Sequence, residues 1–325
     1  MERLSDEQFH SALGAIDARA LASEGIDRFC STSDWTLPAH EALMPPRELV
    51  VARDHDRYFV GAARTLDDGM RLWEPLEASW ALASPFLGLS EPKHAVAVVD
   101  WLAGQSGWDV LIASGLLQGS WLLQQVGSQL AARFSLRIAD MTPRYVVDLG
   151  PGVEAFLARR SRNFRRSLTK ARARCLREGV SFESAHARSG PEGLEVFERL
   201  LAVERKSWKS REGAGIDQGR MGEFYRAMSE RLGAAGRHRC WFARHGDDDI
   251  GYVLGAVRGE CYRGLQFSYD DEHARLSLGN VMQLEQMHHL FAEGVTHYDL
   301  GSEAHYKQRW ADRIEASPVL LAFRS

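Results

Sequence analysis

The spacing of apolar and polar residues changes period several times along the chain, and each change marks an element. RELVVAR (47–53) and RYFVGAART (57–65) are β-branched and aromatic runs on either side of a charged turn, which predicts a hairpin. Ser5-Asp6-Glu7-Gln8 places a hydroxyl three residues ahead of a glutamine, a capping box that opens a first helix. Helical patterns at 93–105 and 118–133 enclose the compact apolar run DVLIA (109–113), and strands are expected near 136–140 and 144–149.

The second half carries a clearer pattern. A helix is expected over 159–178, stopped by Gly179, and then a strand at 181–186. Ser189, Pro191 and Glu192 open a helix that is expected to reach Trp208. A glycine-rich loop (211–219) leads into a helix at 219–234 and three successive strands at 239–245, 249–258 and 261–269. A helix at 279–293, the strand THYDLG (296–301), a short helix at 303–311 and a last strand at 318–324 complete the order. The first half reads as a poorer copy of this unit, so an α/β pseudo-repeat is expected, with its boundary near residue 150 and a hinge at Pro151-Gly152.

Length and composition allow one very large domain or two medium ones. The chain has 325 residues, 45% of them hydrophobic and 26% charged, enough to bury a sizeable core. MERLSDEQFH is polar and acidic, and no apolar run reaches membrane-spanning length, so no leader, no membrane span and a cytoplasmic location are expected. Cys30, Cys175, Cys240 and Cys261 show no paired spacing and read as reduced thiols. His288 and His289 point about 100° apart on a helix, so no metal is expected.

Charge changes the picture at one place. RRSRNFRRSLTKARARCLREG (159–179) holds nine Lys or Arg before Glu178, whereas the whole chain carries −4 and the remainder therefore −13. The basicity is local. Phe164, Leu168, Ala171 and Cys175 recur at helical spacing, so the stretch is an amphipathic helix with one docked face. Such a patch suits a phosphate-bearing partner or plain water, and the sequence leaves that choice open.

Three stretches, SRNFRRSLTKARARCLREG (161–179), ERKSWKSREGAGI (204–216) and YDLGSEAHYKQRWAD (298–312), resemble the BioF-like or CelD-type acetyltransferases of the GNAT superfamily, relatives of the Fem aminoacyltransferases. The resemblance implies tandem GNAT-like lobes, each a mixed central sheet flanked by helices: 1–150 as a degenerate lobe and 151–325 as the acyltransferase lobe. It implies acyl-CoA (acetyl-CoA) as co-substrate and a small-molecule, sugar or peptide amine as acceptor. The GNAT phosphate loop [QR]-x-x-G-x-[GA] is only partly present, as Arg275-Leu276-Ser277-Leu278-Gly279-Asn280. Ser277, Leu278, Gly279 and Asn280 are thus the expected cofactor-binding residues, since a helix mouth offers free N–H groups to phosphate.

Glu204 falls in the middle of the apolar arc of its helix, so it is either a paired core carboxylate or a desolvated base for an attacking amine. Trp208 is either a pocket wall or core. By period two, Tyr262, Gly264, Gln266 and Ser268 share a strand face, with Gln266 a candidate substrate contact. Asp299 ends a strand that feeds a short helix, the usual place for a ligand in an α/β sheet. By the resemblance, Tyr306 protonates the leaving thiolate and Lys307 faces the donor. An aminoacyl-tRNA-dependent, Fem-like transferase and a nucleic-acid-binding protein are the alternatives; the absence of a long heptad run argues against the first, and the lack of aromatics interleaved with the basic run against the second.

Overall fold

A computed structural model describes residues 1–302 and 305–324. In chain order the elements are β1 (Glu2–Arg3), α1 (Asp6–Ala22), α2 (Ser33–Pro38), β2 (Glu48–Asp54), β3 (Arg57–Thr65), β4 (Arg71–Pro75), β5 (Phe86–Leu87), α3 (Pro92–Gly104), β6 (Val110–Ala113), α4 (Trp121–Arg133) and β7 (Ser135–Asp148). They continue as α5 (Val153–Ala158), α6 (Arg162–Arg177), β8 (Val180–Ser184), α7 (Gly190–Glu204), α8 (Trp208–Arg211), α9 (Gly219–Ala234), β9 (His238–His245), β10 (Asp248–Arg258), β11 (Cys261–Tyr269), α10 (Leu278–Ala292), β12 (His297–Ser302) and β13 (Arg313–Phe323). No helix among the described residues is long and apolar enough to cross a membrane.

Two compact units result: Met1–Pro143 with the chain from Glu315 onward, and Arg144–Ile314. The sequence placed a hinge at Pro151-Gly152, whereas the units divide inside β7 and the final strand returns to the first unit. Gly152, at φ 95°, instead starts α5.

Each unit is a mixed sheet with helices. In the first unit the strands run β1-β2-β3-β4-β6-β13, antiparallel except for β4 beside β6. Its core is rich in indole: Trp73 packs on Phe59 and Trp108, and Trp108 meets Phe134 edge-on. The capping box at Ser5 forms in both directions. β4 escaped sequence reading because RLWEP is short, charged at both ends of its apolar pair and closed by proline.

In the second unit the order is β7-β12-β11-β10-β9-β8, with β11 and β12 parallel. That parallel ladder holds only from Cys261/His297 to Arg263/Asp299. Beyond it, the carboxyl ends of the two strands no longer pair with each other.

Local chemistry accounts for several boundary differences. The basic helix expected over 159–178 is α6 and starts only at Arg162, because Ser161 accepts the Phe164 N–H and caps it; the short α5 precedes it as a separate helix. The helix expected to reach Trp208 stops at Glu204, and Ser207 caps the short α8. The two strands expected near 136–140 and 144–149 are one, β7, and the last strand starts before Pro318 rather than at it. The short helix expected at 303–311 is a 3-10 turn, His305–Arg309; its first two positions, 303 and 304, lie outside the described residues.

Candidate active site

The site grows from a fault in β11. Leu254 of β10 pairs with Gln266, yet the next residue, Gly255, pairs with Gly264, so Leu265 is an inserted bulge residue. Successive β10 residues face opposite sides, so Gln266 and Ser268 lie on the face opposite Tyr262 and Gly264. The period-two expectation of one shared face fails here, because a bulge resets the alternation. Tyr225 donates its hydroxyl to the Leu265 carbonyl at 3.2 Å. Lys209 of α8 donates from Nζ to the Phe267 carbonyl and, at 2.7 Å, to Gln266 Oε1. Burial pushes the Lys209 ammonium pKa down, against the pull of nearby Glu204.

Glu204 has no exposed surface. Its Oε1 accepts the Ile216 N–H at 3.2 Å and its Oε2 the Tyr252 hydroxyl at 2.8 Å. Both oxygens are therefore committed to the core, tying the end of α7 to the 211–219 loop and to β10. Of the two readings that its place on the helix allowed, the geometry matches the paired carboxylate rather than the open base. Trp208, 41% exposed, is neither core nor a wall of the cavity described below.

At the end of β12, Asp299 accepts from Arg144 and, at 3.3 Å, from Arg263 on Oδ2, while Oδ1 takes the Gly301 N–H at 2.7 Å. Gly301 sits at φ 81° inside β12, where the register against β7 shifts between Asp299 and Ser302. Lys307 follows and donates from Nζ to the Ser302 carbonyl at 2.6 Å. Its pKa falls to about 8, chiefly by burial, with Arg263 and Lys209 adding to the effect and Asp299 opposing it. Tyr306 meets Phe267 edge-on at 5.4 Å, and burial pushes its phenol pKa up, so it holds its proton at neutral pH.

The third part is the mouth of α10. Ser277 is left-handed (φ 57°) and makes no side-chain cap. Leu278 is fully buried, so only its backbone faces the mouth. A Cβ at Gly279 would lie 2.7 Å from Phe267 Cε2, so glycine lets the Phe267 ring pack against the helix start. Asn280 is exposed and lines a cavity of about 500 Å³ together with Asn163, Phe164, Ser167, Tyr306 and Arg309. Arg159 and Arg160 also border it but are held by Asp312. Arg309 has no bonded partner among the described residues.

Residues 162–308 match the family model of the acetyltransferase (GNAT) domain. Over these residues the chain is similar to GNAT acetyltransferase domains. The matched stretch takes in α6, the bulged strand, the mouth of α10 and the turn after β12. Three solved structures share the fold over nearly the whole chain. A conserved protein of unknown function from Bacteroides thetaiotaomicron VPI-5482 is 9% identical, with 96% of this chain and 97% of that one covered and a TM-score of 0.66. FemX is 13% identical, with 98% and 97% covered and a TM-score of 0.65. L-PGS from Bacillus licheniformis is 12% identical, with 100% and 94% covered and a TM-score of 0.57. No curated protein sequence matches the chain.

Of the residues singled out from sequence, Asn280 and Tyr306 share the cavity, and Gln266, Asp299 and Lys307 gather near the ends of β11 and β12. Sequence reading passed over Lys209, Tyr225, Phe267 and Arg309. Lys209 lay beside Trp208 in a stretch already noted, but an unbroken helix hid its turn toward β11. Among the described residues no group of three or more His, Cys, Asp or Glu could hold a metal ion.

Proposed function

We propose that the chain is an N-acyltransferase that moves an acetyl or longer acyl group from acyl-CoA to an amine of a small molecule, sugar or peptide. The observation that carries this reading is the meeting of Tyr306, Asn280 at the start of α10 and Arg309, which has no bonded partner among the described residues, around one cavity. The first backbone bonds into α10 come from Asn280 and Val281, both to Ser277, which leaves the N–H groups of Leu278 and Gly279 for a phosphate oxygen. Arg309 adds a positive charge to the same wall.

The amine nitrogen attacks the thioester carbon, forming the C–N bond. Lys307, as ammonium, steadies the oxyanion. The C–S bond then breaks, and Tyr306 gives its proton to the departing thiolate. The surplus amine proton passes through cavity water and restores Tyr306. Glu204 takes no proton in this scheme; it holds the 211–219 loop and the field around Lys209.

Thermal stabilisation across a panel of acyl-CoAs tests the donor. A site-specific ligand at 100 times its dissociation constant raises stability by about 2.7 kcal/mol. Thiol release with a panel of amines tests the reaction. No stabilisation by any acyl-CoA, with acyl transfer from an aminoacyl ester instead, moves the donor to the Fem-like alternative.

A further inference from the structure

Helix α6 carries more charge than the cavity uses. Arg162, Arg166 and Lys170 stand one turn apart in a single exposed row, with Arg165 beside them, and none of these four side chains has a bonded partner among the described residues. The first acid after them is Glu178. The docked face, Leu168, Ala171 and Cys175, lies on the other side of the helix. Arg172, by contrast, is paired with Glu285.

This row is a ridge between two hollows. On one side, Asn163, Phe164 and Ser167 line the cavity that also holds Tyr306. On the other, Leu157, Leu168, Leu176 and Leu284 line a second, more apolar hollow with Arg165 at its rim. Leu176 is 54% exposed there, a large apolar side chain facing water beside the cations.

We propose that α6 docks an acidic, helical carrier protein that presents the acyl group on a phosphopantetheine arm. The inference rests on the thioester reading above and names the partner that delivers the thioester. The acidic helix lies along the Arg162–Arg166–Lys170 row, its apolar side chains cover Leu176, and the arm enters the neighbouring cavity toward Tyr306.

Two features favour this occupant. The row spans about 12 Å at 1.5 Å per residue, longer than one phosphate can neutralise, and none of its three cations lines the cavity that would hold the phosphates of free CoA. A single-stranded RNA binds by stacking on exposed aromatics, and α6 has none: its one aromatic, Phe164, is half-buried edge-on against Trp310.

The test compares acetylated holo-acyl carrier protein with acetyl-CoA as donors, and measures carrier binding directly by fluorescence anisotropy. The variant carries Arg162→Glu, Arg166→Glu and Lys170→Glu, with circular dichroism to check its fold. The expected result is that the variant raises KM and Kd for the carrier about tenfold or more, weakening at high salt in the wild type, while kcat and the KM for acetyl-CoA stay within about twofold. Equal loss with both donors, or a carrier that does not bind the wild type, overturns the docking. So does an RNA hairpin that binds with a steep salt slope in place of the carrier. Turnover of acetyl-CoA without carrier binding keeps the acyltransferase and removes the docking partner. Carrier binding lost in the variant, with no turnover from either donor, keeps the docking surface and removes the acyl-transfer reading.

Discussion

Lys209 and Gln266 lie 57 residues apart, yet Nζ of one donates to Oε1 of the other at 2.7 Å. The same ammonium bonds the Phe267 carbonyl and lies over the Phe267 ring, 4.9 Å from its centroid. One half-buried cation thus fastens the bulged strand whose Phe267 also supports Tyr306 and the start of α10. Lys209→Met should therefore lower kcat by about 10²-fold, within the range seen when one preorganised polar contact is lost. It should also move the alkaline limb of the pH–rate profile upward, because Lys209 is one of the charges that depress Lys307. Loss of rate with an unmoved limb would separate the two lysines.

The Lys307 ammonium, lowered from 10.5 to about 8, gives a pH signature of its own. If it acts as a cation, activity falls as pH rises through about 8, and Lys307→Arg, which stays charged, keeps the plateau to higher pH. Activity that instead rises through that pH would mark it as a neutral base.

Stability should respond to the same group with a definite sign. Between about 8 and 10.5 the unfolded chain binds a proton that folded Lys307 has lost, so its contribution to stability rises with pH across that window. Below the window, burying the ammonium works against folding. Urea unfolding of the wild type against Lys307→Met should show the variant's advantage shrinking as pH climbs; an advantage independent of pH would place the effect in packing.

Glu204→Gln should act on stability more than on chemistry. The amide keeps one acceptor for the Ile216 N–H or the Tyr252 hydroxyl but turns a donor toward the other, a buried mismatch of about 1–3 kcal/mol. A lower Tm with kcat within about tenfold is expected. A fall of about 10²–10⁴-fold at unchanged Tm, recovered at high pH, would restore the carboxylate as the base.

The order of elements in the second unit was legible because its helices and strands are long and periodic: α9, β9, β10, β11 and α10 fall within a residue or two of expectation. The bulge at Leu265 was not, since the residue that resets the alternation looks like any other in the sequence and shows only in the partner strand's register. Glu204 shows the same limit from another side. Its position on the apolar arc declared it buried, but its partners, Ile216 and Tyr252, come from a loop and a strand that no local pattern links to it. Gly279 was legible as a helix-mouth glycine, while the Phe267 ring against it is a tertiary contact.

The most direct measurement is a calorimetric titration of acetyl-CoA into the wild type and into Asn280→Trp. Asn280 is exposed at the α10 mouth and lines the cavity, so the indole fills donor space without entering the core. The account predicts one acetyl-CoA per chain in the wild type and an affinity at least about tenfold weaker in the variant, a loss of about 1.4 kcal/mol, with Tm unchanged. Equal affinity in the two proteins, or two molecules bound per chain, would contradict it.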